Sequence, residues 1–359
     1  MNKYSKNAAY NELVDFSISI GLRADLIQAA GGNVSLKDDF GNIFVKRSGL
    51  SLKEASSKDI FAKLNYLTNK ETVLKALENN EEDLEMNLPF PDQQPSIETS
   101  FHIFFSDRIV VHVHAINIIV WTIVKKYRDV ILNIISDQPI LYVPYCKPGF
   151  SITKNIHSLV RRVGIYPEVV ILENHGIIVL GDNFNEINSR LDSVLSICAC
   201  KTRALKSEFS NNEYKWINDF NQLLNFKLPR LPLIHELAKD EFNLSVIKLN
   251  ALYPDHVVYL NEKYLILPFN DDVSNLNYVK SNVAFISTFC ILIIPNHGIL
   301  VNRNITHAQE EMLECWFNVV DRIPHNSEVS TLNDIEIEEL NAWEAEKYRQ
   351  KISGANIID

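Results

Sequence analysis

The chain contains 359 residues with a mass of 41.1 kDa, a length typical of about two domains. Hydrophobic residues make up 46% of it and charged residues 22%, which excludes disordered, collagen-like and coiled-coil chains. The net charge is 35 − 45 = −10, so we expect no nucleic-acid partner. The longest apolar stretch, residues 109–124, contains two histidines and is too short for a membrane span, so we expect no membrane partner.

The N-terminus and the cysteines indicate the compartment. The first 16 residues lack the apolar segment of a signal peptide. The five cysteines are odd in number and have no framework spacing. We therefore expect a cytoplasmic protein with free thiols. Cys198 and Cys200 lie in a predicted helix, where they point to different faces, so they are interpreted as buried thiols rather than metal ligands.

The first predicted unit covers residues 1–225. The pattern indicates an amphipathic helix over 4–30, a β-hairpin around Gly41, and helix with acidic loop over 51–90. A short helix after residue 95 precedes a buried strand and helix over 109–124. A strand over 140–145, a helix, two apolar strands over 168–182 and a long helix complete the unit. This order predicts an α/β (α+β) architecture with a mainly antiparallel sheet.

A second, smaller α/β unit is predicted over residues 226–359, after a linker marked by Pro229 and Pro232. Strands are expected within 257–268 and 289–295. Residues 171–179 read ILENHGIIV and residues 293–301 read IIPNHGILV, an offset of 122 residues. Each match lies in a strand–turn–strand–helix pattern, so we consider a decayed internal duplication, with chance similarity as the alternative.

Three histidines form a candidate metal site. His112 and His114 are two residues apart in an apolar strand and therefore project to the same face. His175 stands in an Asn-His-Gly turn between two predicted strands. Three histidines suit a catalytic zinc site with an open fourth position. The alternative on spacing alone is a set of buried core histidines.

Other polar residues have two interpretations each. Glu98 either stabilises a helix N-terminus or acts as a general acid/base. His102 shares its helix face and is interpreted as a packed structural residue in preference to a support for the site. Lys46 and Arg47 flank a Ser-Gly turn, where one of them would face an anionic substrate unless both are exposed. Glycine-rich turns could cradle a phosphate, but neither Walker A nor G-x-G-x-x-G occurs.

Six motifs in order identify a family resemblance. They are Gly-Gly-Asn-Val-Ser (31–35), Val-Lys-Arg-Ser-Gly (45–49), Pro-Ser-Ile-Glu-Thr (95–99), His-Val-His (112–114), Pro-Tyr-x-x-Pro-Gly-Phe (144–150) and Asn-His-Gly (174–176). Over about residues 10–210 the sequence resembles the class II aldolase/adducin family. It is most similar to the long, rhamnulose-phosphate aldolase-like form, and we expect that form without its dehydrogenase domain. The resemblance implies a class II aldolase-like three-layer fold.

The resemblance also implies roles for particular residues. His112, His114 and His175 match the family's ligands for Zn²⁺ or another divalent ion such as Mn²⁺, Co²⁺ or Fe²⁺. Glu98 matches the residue that transfers a proton. The residues that match the family's substrate phosphate site are Gly32, Asn33, Ser48, Gly49 and Ser96. His297, in the second Asn-His-Gly, has no H-x-H partner upstream and is interpreted as a relic or structural residue.

The function implied is a lyase that cleaves or forms a C–C bond in a phosphorylated sugar or hydroxyketone through a metal-stabilised enediolate. Related activities in the family are epimerisation, dehydration and decarboxylation, and adducin keeps the fold as a binding module. The tyrosines that assist protonation in short aldolases have no clear match, and the candidates are Tyr142, Tyr145 and residues of the second unit. The family implies a homo-oligomer, commonly a tetramer.

Overall fold

The computed structural model describes residues 8–84, 93–136, 138–203, 220, 223–260, 262–269, 271–343 and 352. Over these residues it is a mixed α/β protein with fourteen α-helices and two sheets. The strands are β1 (Asn33–Lys37), β2 (Asn42–Lys46), β3 (Phe61–Asn65), β4 (Ile109–Val113), β5 (Ile140–Val143), β6 (Val169–Leu172), β7 (Gly176–Gly181), β8 (Phe226–Lys227), β9 (Tyr264–Ile266), β10 (Ile291–Ile294) and β11 (Gly298–Asn302).

After the first helix, groups of one to three strands are separated by one to three helices along the chain. The helices are α1 (Ala8–Gly21), α2 (Tyr66–Glu78), α3 (Thr99–Phe104), α4 (Ile116–Ile123), α5 (Lys125–Ile134), α6 (Phe150–Val163), α7 (Phe184–Ile197), α8 (Glu236–Lys239), α9 (Glu241–Ile247), α10 (Pro254–Leu260), α11 (Asp272–Ser281), α12 (Val283–Ile286), α13 (His307–Val320) and α14 (Asp334–Ala342). Short 3₁₀ helices cover Leu52–Ser56 and Pro232–His235.

The larger sheet has seven strands in the order β3-β2-β1-β4-β7-β6-β5. Only β5 and β6 pair in parallel, so the predicted mainly antiparallel sheet is confirmed. The β1–β2 hairpin forms where expected because Asp38 closes its turn. Its side chain accepts hydrogen bonds from the backbone N–H of Phe40 and Asn42 at 2.9 and 2.8 Å.

Helices cover both faces of this sheet, which gives the three layers expected. One face carries alternate residues of β4 such as Val111 and Val113, packed against α1, α4 and α7. The opposite face carries Val110 and the strands' other alternate residues, packed against α3 and α6. Strands covered on both sides are continuously apolar, which explains why β4, β6 and β7 are buried throughout.

The second sheet has four strands in the order β8-β11-β10-β9. β8 and β10 pair antiparallel with β11, while β9 pairs in parallel with β10. The four neighbouring strands β4-β7-β6-β5 of the larger sheet show the same sequence of two antiparallel pairings and one parallel pairing. The asparagine before each His-Gly pair also has the same left-handed backbone conformation, with φ of 54° at Asn174 and 65° at Asn296. These likenesses favour the duplication hypothesis, which stays a prediction. The domain boundary near residue 225 also stays a prediction.

Helix α4 packs into the same hydrophobic core as the second sheet. Helix α4, from the first unit, contributes Ile116, Ile119 and Val120, which pack in the same cluster as Trp316 and Phe317 of α13. Near the end of the described chain, Val329 forms an isolated antiparallel bridge to Val124. Residues around the second sheet therefore pack directly against α4.

Several predicted elements have different bounds. The first helix ends at Gly21 instead of residue 30, and α7 ends at Ile197, so Cys200 lies beyond it. Strand β3 was not predicted, because it is a short edge strand with the polar residues Lys63 and Asn65. Residues 257–260 form the end of α10 instead of a strand. The expected helix beyond residue 203 lies largely outside the described residues.

All five cysteines are free thiols, as predicted. Burial raises the pKa of Cys198 and Cys315 to about 12, so both thiols are protonated and unreactive at neutral pH. Among the described residues, no helix combines the length and apolar character needed to cross a bilayer.

Candidate metal centre and adjoining cavity

Three neighbouring strands bring the predicted histidines together. Because β1 and β7 run antiparallel to β4, the start of β1, the end of β4 and the start of β7 meet at one end of the sheet. His112 lies in β4 opposite Asn33 and Ile178, and His114 follows just after the strand. His175 occupies the turn before β7. All three side chains are buried, and their ligand-capable nitrogens lie within 4.8 Å of one another.

The Asn-His-Gly turn requires its glycine. A Cβ on Gly176 would stand 2.3 Å from the carbonyl oxygen of Val113 and 3.1 Å from the Cα of His114. Only a residue without a side chain lets the turn approach β4 this closely. This close approach places His175 beside the other two imidazoles. The centroid of its ring lies 4.9 Å from that of His112 and 4.8 Å from that of His114.

Hydrogen bonds fix the orientation of two imidazoles. Nδ1 of His112 lies 3.0 Å from the carbonyl oxygen of Ile177, and Nδ1 of His114 lies 2.8 Å from Oδ2 of Asp255. Both partners are acceptors, so both Nδ1 atoms carry the proton. The two Nε2 atoms then face each other at 3.0 Å. In neutral rings these are two converging lone pairs, an arrangement that only a proton or a cation between them makes favourable.

The electrostatics favour neutral imidazoles. Burial lowers the pKa of His112 to about 4, even though the carboxylate of Glu98 opposes the shift. Burial likewise lowers the pKa of His175 to about 3. Both rings are therefore uncharged at neutral pH, which is the protonation state a metal ligand needs.

Glu98 completes the group of converging polar atoms. Its Oε2 lies 3.4 Å from Nε2 of His112, and its Oε1 lies 3.5 Å from Nε2 of His175. Burial alone would raise the pKa of this carboxyl, but the neighbouring histidines and the amide of Asn33 outweigh it and lower the pKa to about 2. Glu98 is thus a buried carboxylate at the N-cap of α3 that makes no capping hydrogen bond.

A chain of hydrogen bonds positions one oxygen of Glu98. Nδ2 of Asn33 donates to Oε2 of Glu98 at 2.8 Å and to Oγ of Ser96 at 3.1 Å. Oδ1 of Asn33 accepts from Nε2 of His102, whose Nδ1 lies 2.8 Å from the hydroxyl of Ser35. Burial lowers the pKa of His102 well below its usual value, so the ring carries a single N–H, which Asn33 accepts. His102 is buried, as expected of a packed residue, but it also sets the direction of the Asn33 amide that holds Glu98, which was the less favoured interpretation.

The other oxygen of Glu98 has no hydrogen-bond partner. Oε1 is buried and lies beside the histidine cluster. A buried carboxylate oxygen without a donor costs about 1–3 kcal/mol or more, so such an atom calls for an explanation. A cation, a substrate hydroxyl or a transferred proton would each satisfy it.

The five residues predicted for the phosphate meet in one cavity beside the histidines. The lining includes two residues that the sequence did not assign, Pro148 and Asp255, together with Glu98, His114 and His175. The predicted residues in it are Gly32, Asn33, Ser48, Gly49 and Ser96. Ser96 accepts hydrogen bonds from Asn33 and from the backbone N–H of Glu98, at 3.3 Å for the latter, so its own O–H remains available as a donor.

Lys46 and Arg47 behave differently. Lys46 is buried at the wall of this cavity, where Nζ donates to the carbonyl oxygens of Ala30 at 2.8 Å and Leu50 at 2.6 Å. It thereby ties the Gly31–Gly32 turn to the Ser48–Gly49 turn. The guanidinium of Arg47 instead lies 3.3 Å from the carbonyl of Asp59 and outside the lining. Of the two, Lys46 is the cation that faces the cavity.

Asp255 is the residue that sequence reasoning missed. It lies in the first turn of α10, is 2% exposed, and reaches His114 across 141 residues of sequence. It lies in the segment Tyr-Pro-Asp-His-Val (253–257), to which the sequence analysis assigned no role. The only signal in the sequence was a carboxylate far from the candidate histidines, with nothing to show that it contacts one of them.

The remaining candidates lie apart from the cavity. Nδ1 of His297 is 2.9 Å from the carbonyl oxygen of Pro295, and no second group of three potential metal ligands occurs in the described part of the chain. The interpretation of His297 as a relic or structural residue therefore stays a prediction. Tyr142 and Tyr145 are not part of the cavity lining.

The donor set fits a divalent transition metal. Zinc binds histidine nitrogens at about 2.0–2.1 Å, so ligand nitrogens of a tetrahedral site lie about 3.3 Å apart. The 3.0 Å between the two Nε2 atoms is close to this spacing, and all three ligand nitrogens lie within 4.8 Å of one another. Two of the three rings have their outer nitrogen bonded to an acceptor, as is usual for ligand histidines.

This chain belongs to the class II aldolase and adducin family. The model of the class II aldolase and adducin N-terminal domain matches residues 11–201, which is more than half of the chain. Members of this family typically depend on a divalent metal, and the buried histidine triad could bind one. No curated protein matches the chain.

Several solved structures are similar to the chain. One is the N-terminal class II aldolase domain of a conserved protein from Thermoplasma acidophilum, with 26% identity, a TM-score of 0.42, and coverage of 55% of this chain and 97% of that one. A sugar-phosphate aldolase from Thermotoga maritima has 14% identity and a TM-score of 0.36, covering 54% and 94%. L-fuculose-1-phosphate aldolase from Thermus thermophilus has 12% identity and a TM-score of 0.36, covering 53% and 90%.

Proposed function

We propose that the protein is a divalent-metal-dependent aldolase-type lyase that cleaves or forms a C–C bond in a phosphorylated sugar or hydroxyketone. Family membership supports an enzyme of this superfamily. The observation that carries the proposal is the convergence of the two Nε2 atoms of His112 and His114 with a carboxylate oxygen that has no partner.

His112, His114 and His175 would hold the metal through their Nε2 atoms. A bound divalent ion would act as a Lewis acid on the substrate's carbonyl and adjacent hydroxyl oxygens, stabilising negative charge that develops there. Zn²⁺, Mn²⁺, Co²⁺ and Fe²⁺ all accept imidazole ligands, so the donor set alone leaves the choice among them open.

Glu98 would move the proton. Its Oε2 is held by Asn33 at 2.8 Å, so Oε1, which has no hydrogen-bond partner and lies 3.5 Å from Nε2 of His175, would take the proton. A positioned carboxylate within reach of the substrate can take a proton from one substrate atom and return it to another.

The two glycine turns and Ser96 would hold the substrate phosphate. Gly32, Ser48, Gly49 and the buried cation Lys46 line the same cavity as His114 and His175. Binding of a remote phosphate supplies energy that positions the reacting carbons beside Glu98.

The first experiment measures metal content by elemental mass spectrometry in the wild type and in the His112→Ala/His114→Ala double variant. We expect about one zinc, manganese, cobalt or iron per chain, lost in the double variant. Wild-type protein that stays metal-free after incubation with Zn²⁺ and Mn²⁺ would overturn the proposal and favour a binding module.

A second experiment separates the reactions. The metal-loaded protein is incubated with a panel of ketose 1-phosphates, and the products are followed by ³¹P and ¹³C NMR. Retro-aldol cleavage yields a three-carbon ketose phosphate and an aldehyde. An epimerised, dehydrated or decarboxylated product would replace the lyase assignment with that activity. Gel filtration of the same sample measures the oligomeric state, for which we propose a homo-oligomer.

A further inference from the structure

We propose that Asp255, which belongs to the C-terminal unit, is a positioning residue of the metal site. It would hold the imidazole of His114 with its proton on Nδ1 and its Nε2 lone pair directed at the ion. The inference rests on the proposed metal site. It gives the C-terminal unit a function in the chemistry of the first unit.

The hydrogen bond itself is well defined. Oδ2 of Asp255 lies 2.8 Å from Nδ1 of His114, and the two side chains are 3% and 6% exposed. A carboxylate in this position selects the tautomer that leaves Nε2 unprotonated, and it raises the basicity of the ring as a ligand. Nδ1 of His112 is oriented separately, by the carbonyl oxygen of Ile177 in the first unit.

The backbone around Asp255 is shaped to admit it. A Cβ on Gly31 would stand 2.8 Å from Oδ2 of Asp255 and 2.9 Å from Nδ1 of His114. Gly31 therefore leaves the space in which this carboxylate and imidazole meet. This glycine belongs to the same Gly-Gly-Asn turn that supplies Gly32 and Asn33 to the cavity.

A second contact from the same segment reaches the third histidine's turn. Nδ2 of Asn174 donates to the carbonyl oxygen of Leu252 at 2.9 Å, and the backbone N–H of Asn174 donates to Thr122 at 3.1 Å. Residues 252–255 therefore hold His114 directly and the turn of His175 through its neighbour. The C-terminal unit supplies no member of the histidine triad, yet it contacts the surroundings of two of its three histidines.

The test is a Co²⁺ titration of metal-free protein, followed by the visible absorption of the bound ion and by competition with a chelator. We expect Asp255→Ala to weaken Co²⁺ binding about 10- to 100-fold. Asp255→Asn should lose less, because its Oδ1 still accepts the Nδ1 proton. The absorption of the Co²⁺ complex should change in the alanine variant and stay close to the wild type in the asparagine variant.

A matched control uses another first-turn acid of the same unit. Asp334 begins α14 and accepts a hydrogen bond from Asn250 at 2.9 Å. Asp334→Ala should bind Co²⁺ like the wild type. The unfolding temperature of each metal-free variant is measured alongside, so that a general loss of structure is recognised.

The outcomes distinguish this inference from the proposed function. Wild-type protein that binds no Co²⁺ contradicts the metal site itself. Wild-type binding with an undiminished Asp255→Ala variant overturns only the role of Asp255. Equal losses in Asp255→Ala and Asp255→Asn would also overturn it, because the hydrogen bond would then not be what matters.

Discussion

At the scale of single residues, the two oxygens of Glu98 have different surroundings. One accepts from Asn33 at 2.8 Å, and the other has no hydrogen-bond partner. Replacing the carboxylate by an amide keeps the shape but removes the proton acceptor. We expect Glu98→Gln to lower kcat by about 10²- to 10⁴-fold while metal binding is retained. Steady-state kinetics and metal analysis of the same sample check this, and an unchanged kcat would remove Glu98 from the mechanism.

Lys46 gives a second prediction at this scale. Lys46→Met leaves the carbonyls of Ala30 and Leu50 without their buried donor, so we expect the free energy of unfolding to fall by about 1–3 kcal/mol. Loss of the cation should also raise KM for a phosphorylated substrate. Urea denaturation and kinetics measure the two effects. Arg47→Met is the matched control, and a similar effect there would show that general charge is responsible.

Burial explains why Lys46 was difficult to assign from the sequence. It ends the strand Asn42–Lys46, in which the preceding three residues are all buried, so inside and outside do not alternate. Only the tertiary structure shows that its ammonium group turns inward between two glycine turns. The role of Asp255 was hidden for a related reason, because 141 residues separate it from the histidine it contacts.

At the scale of elements, the turn between β6 and β7 is the most demanding feature. Gly176→Ala would place a methyl group 2.3 Å from the carbonyl oxygen of Val113. We expect a loss of unfolding free energy of several kcal/mol, since the backbone must shift, together with loss of metal binding. Chemical denaturation and metal analysis test both parts.

A second glycine provides the control for that prediction. Gly164 has a φ of +73°, and a Cβ there would meet nothing within 4 Å. Gly164→Ala therefore carries only the cost of a left-handed backbone, about 1–2 kcal/mol. Equal costs in the two alanine variants would show that the contact with β4 is unimportant.

The motifs were predictable because their chemistry is local, whereas some element bounds were not. The H-x-H in an apolar strand and the Asn-His-Gly between apolar runs indicated three histidines that could share a metal, and they do lie together. The choice between a metal site and core histidines needed the family resemblance. The end of α7 at Ile197 carries no glycine or proline signal, so the pattern was extended too far. Helix α10 was interpreted as a strand because Val257 and Val258 favour strands locally, while packing with α13 determines the outcome.

At the scale of the whole molecule, buried neutral histidines make stability depend on pH. Burial lowers the pKa of His112 to about 4 and of His175 and His256 to about 3, all below the ordinary value of 6.5. The unfolded chain therefore binds more protons than the folded one below about pH 6.5. Metal-free protein should lose stability steadily as the pH falls from 6.5 towards 4.

Denaturation in urea at several pH values measures this slope. Each histidine contributes at most about 1.4 kcal/mol per pH unit. His256→Gln removes one titrating group outside the metal site, so its slope should be shallower by up to that amount. A free energy of unfolding that stays constant between pH 6.5 and 4 would contradict the neutral state of these rings.

The contacts of residues 252–255 with the turns of His114 and His175 also have a consequence for how the two units stay together. If an ion is bound most tightly when both imidazoles are held in place, then the ion in turn favours the docked arrangement by the same free energy. If undocking weakened ion binding 100-fold, a saturating ion would favour docking by about 2.7 kcal/mol. Amide hydrogens in α10 should then exchange with solvent more slowly as free Zn²⁺ rises, although none of the three histidines belongs to that helix. The concentration of free metal would thereby control how stably the two units of the chain stay docked.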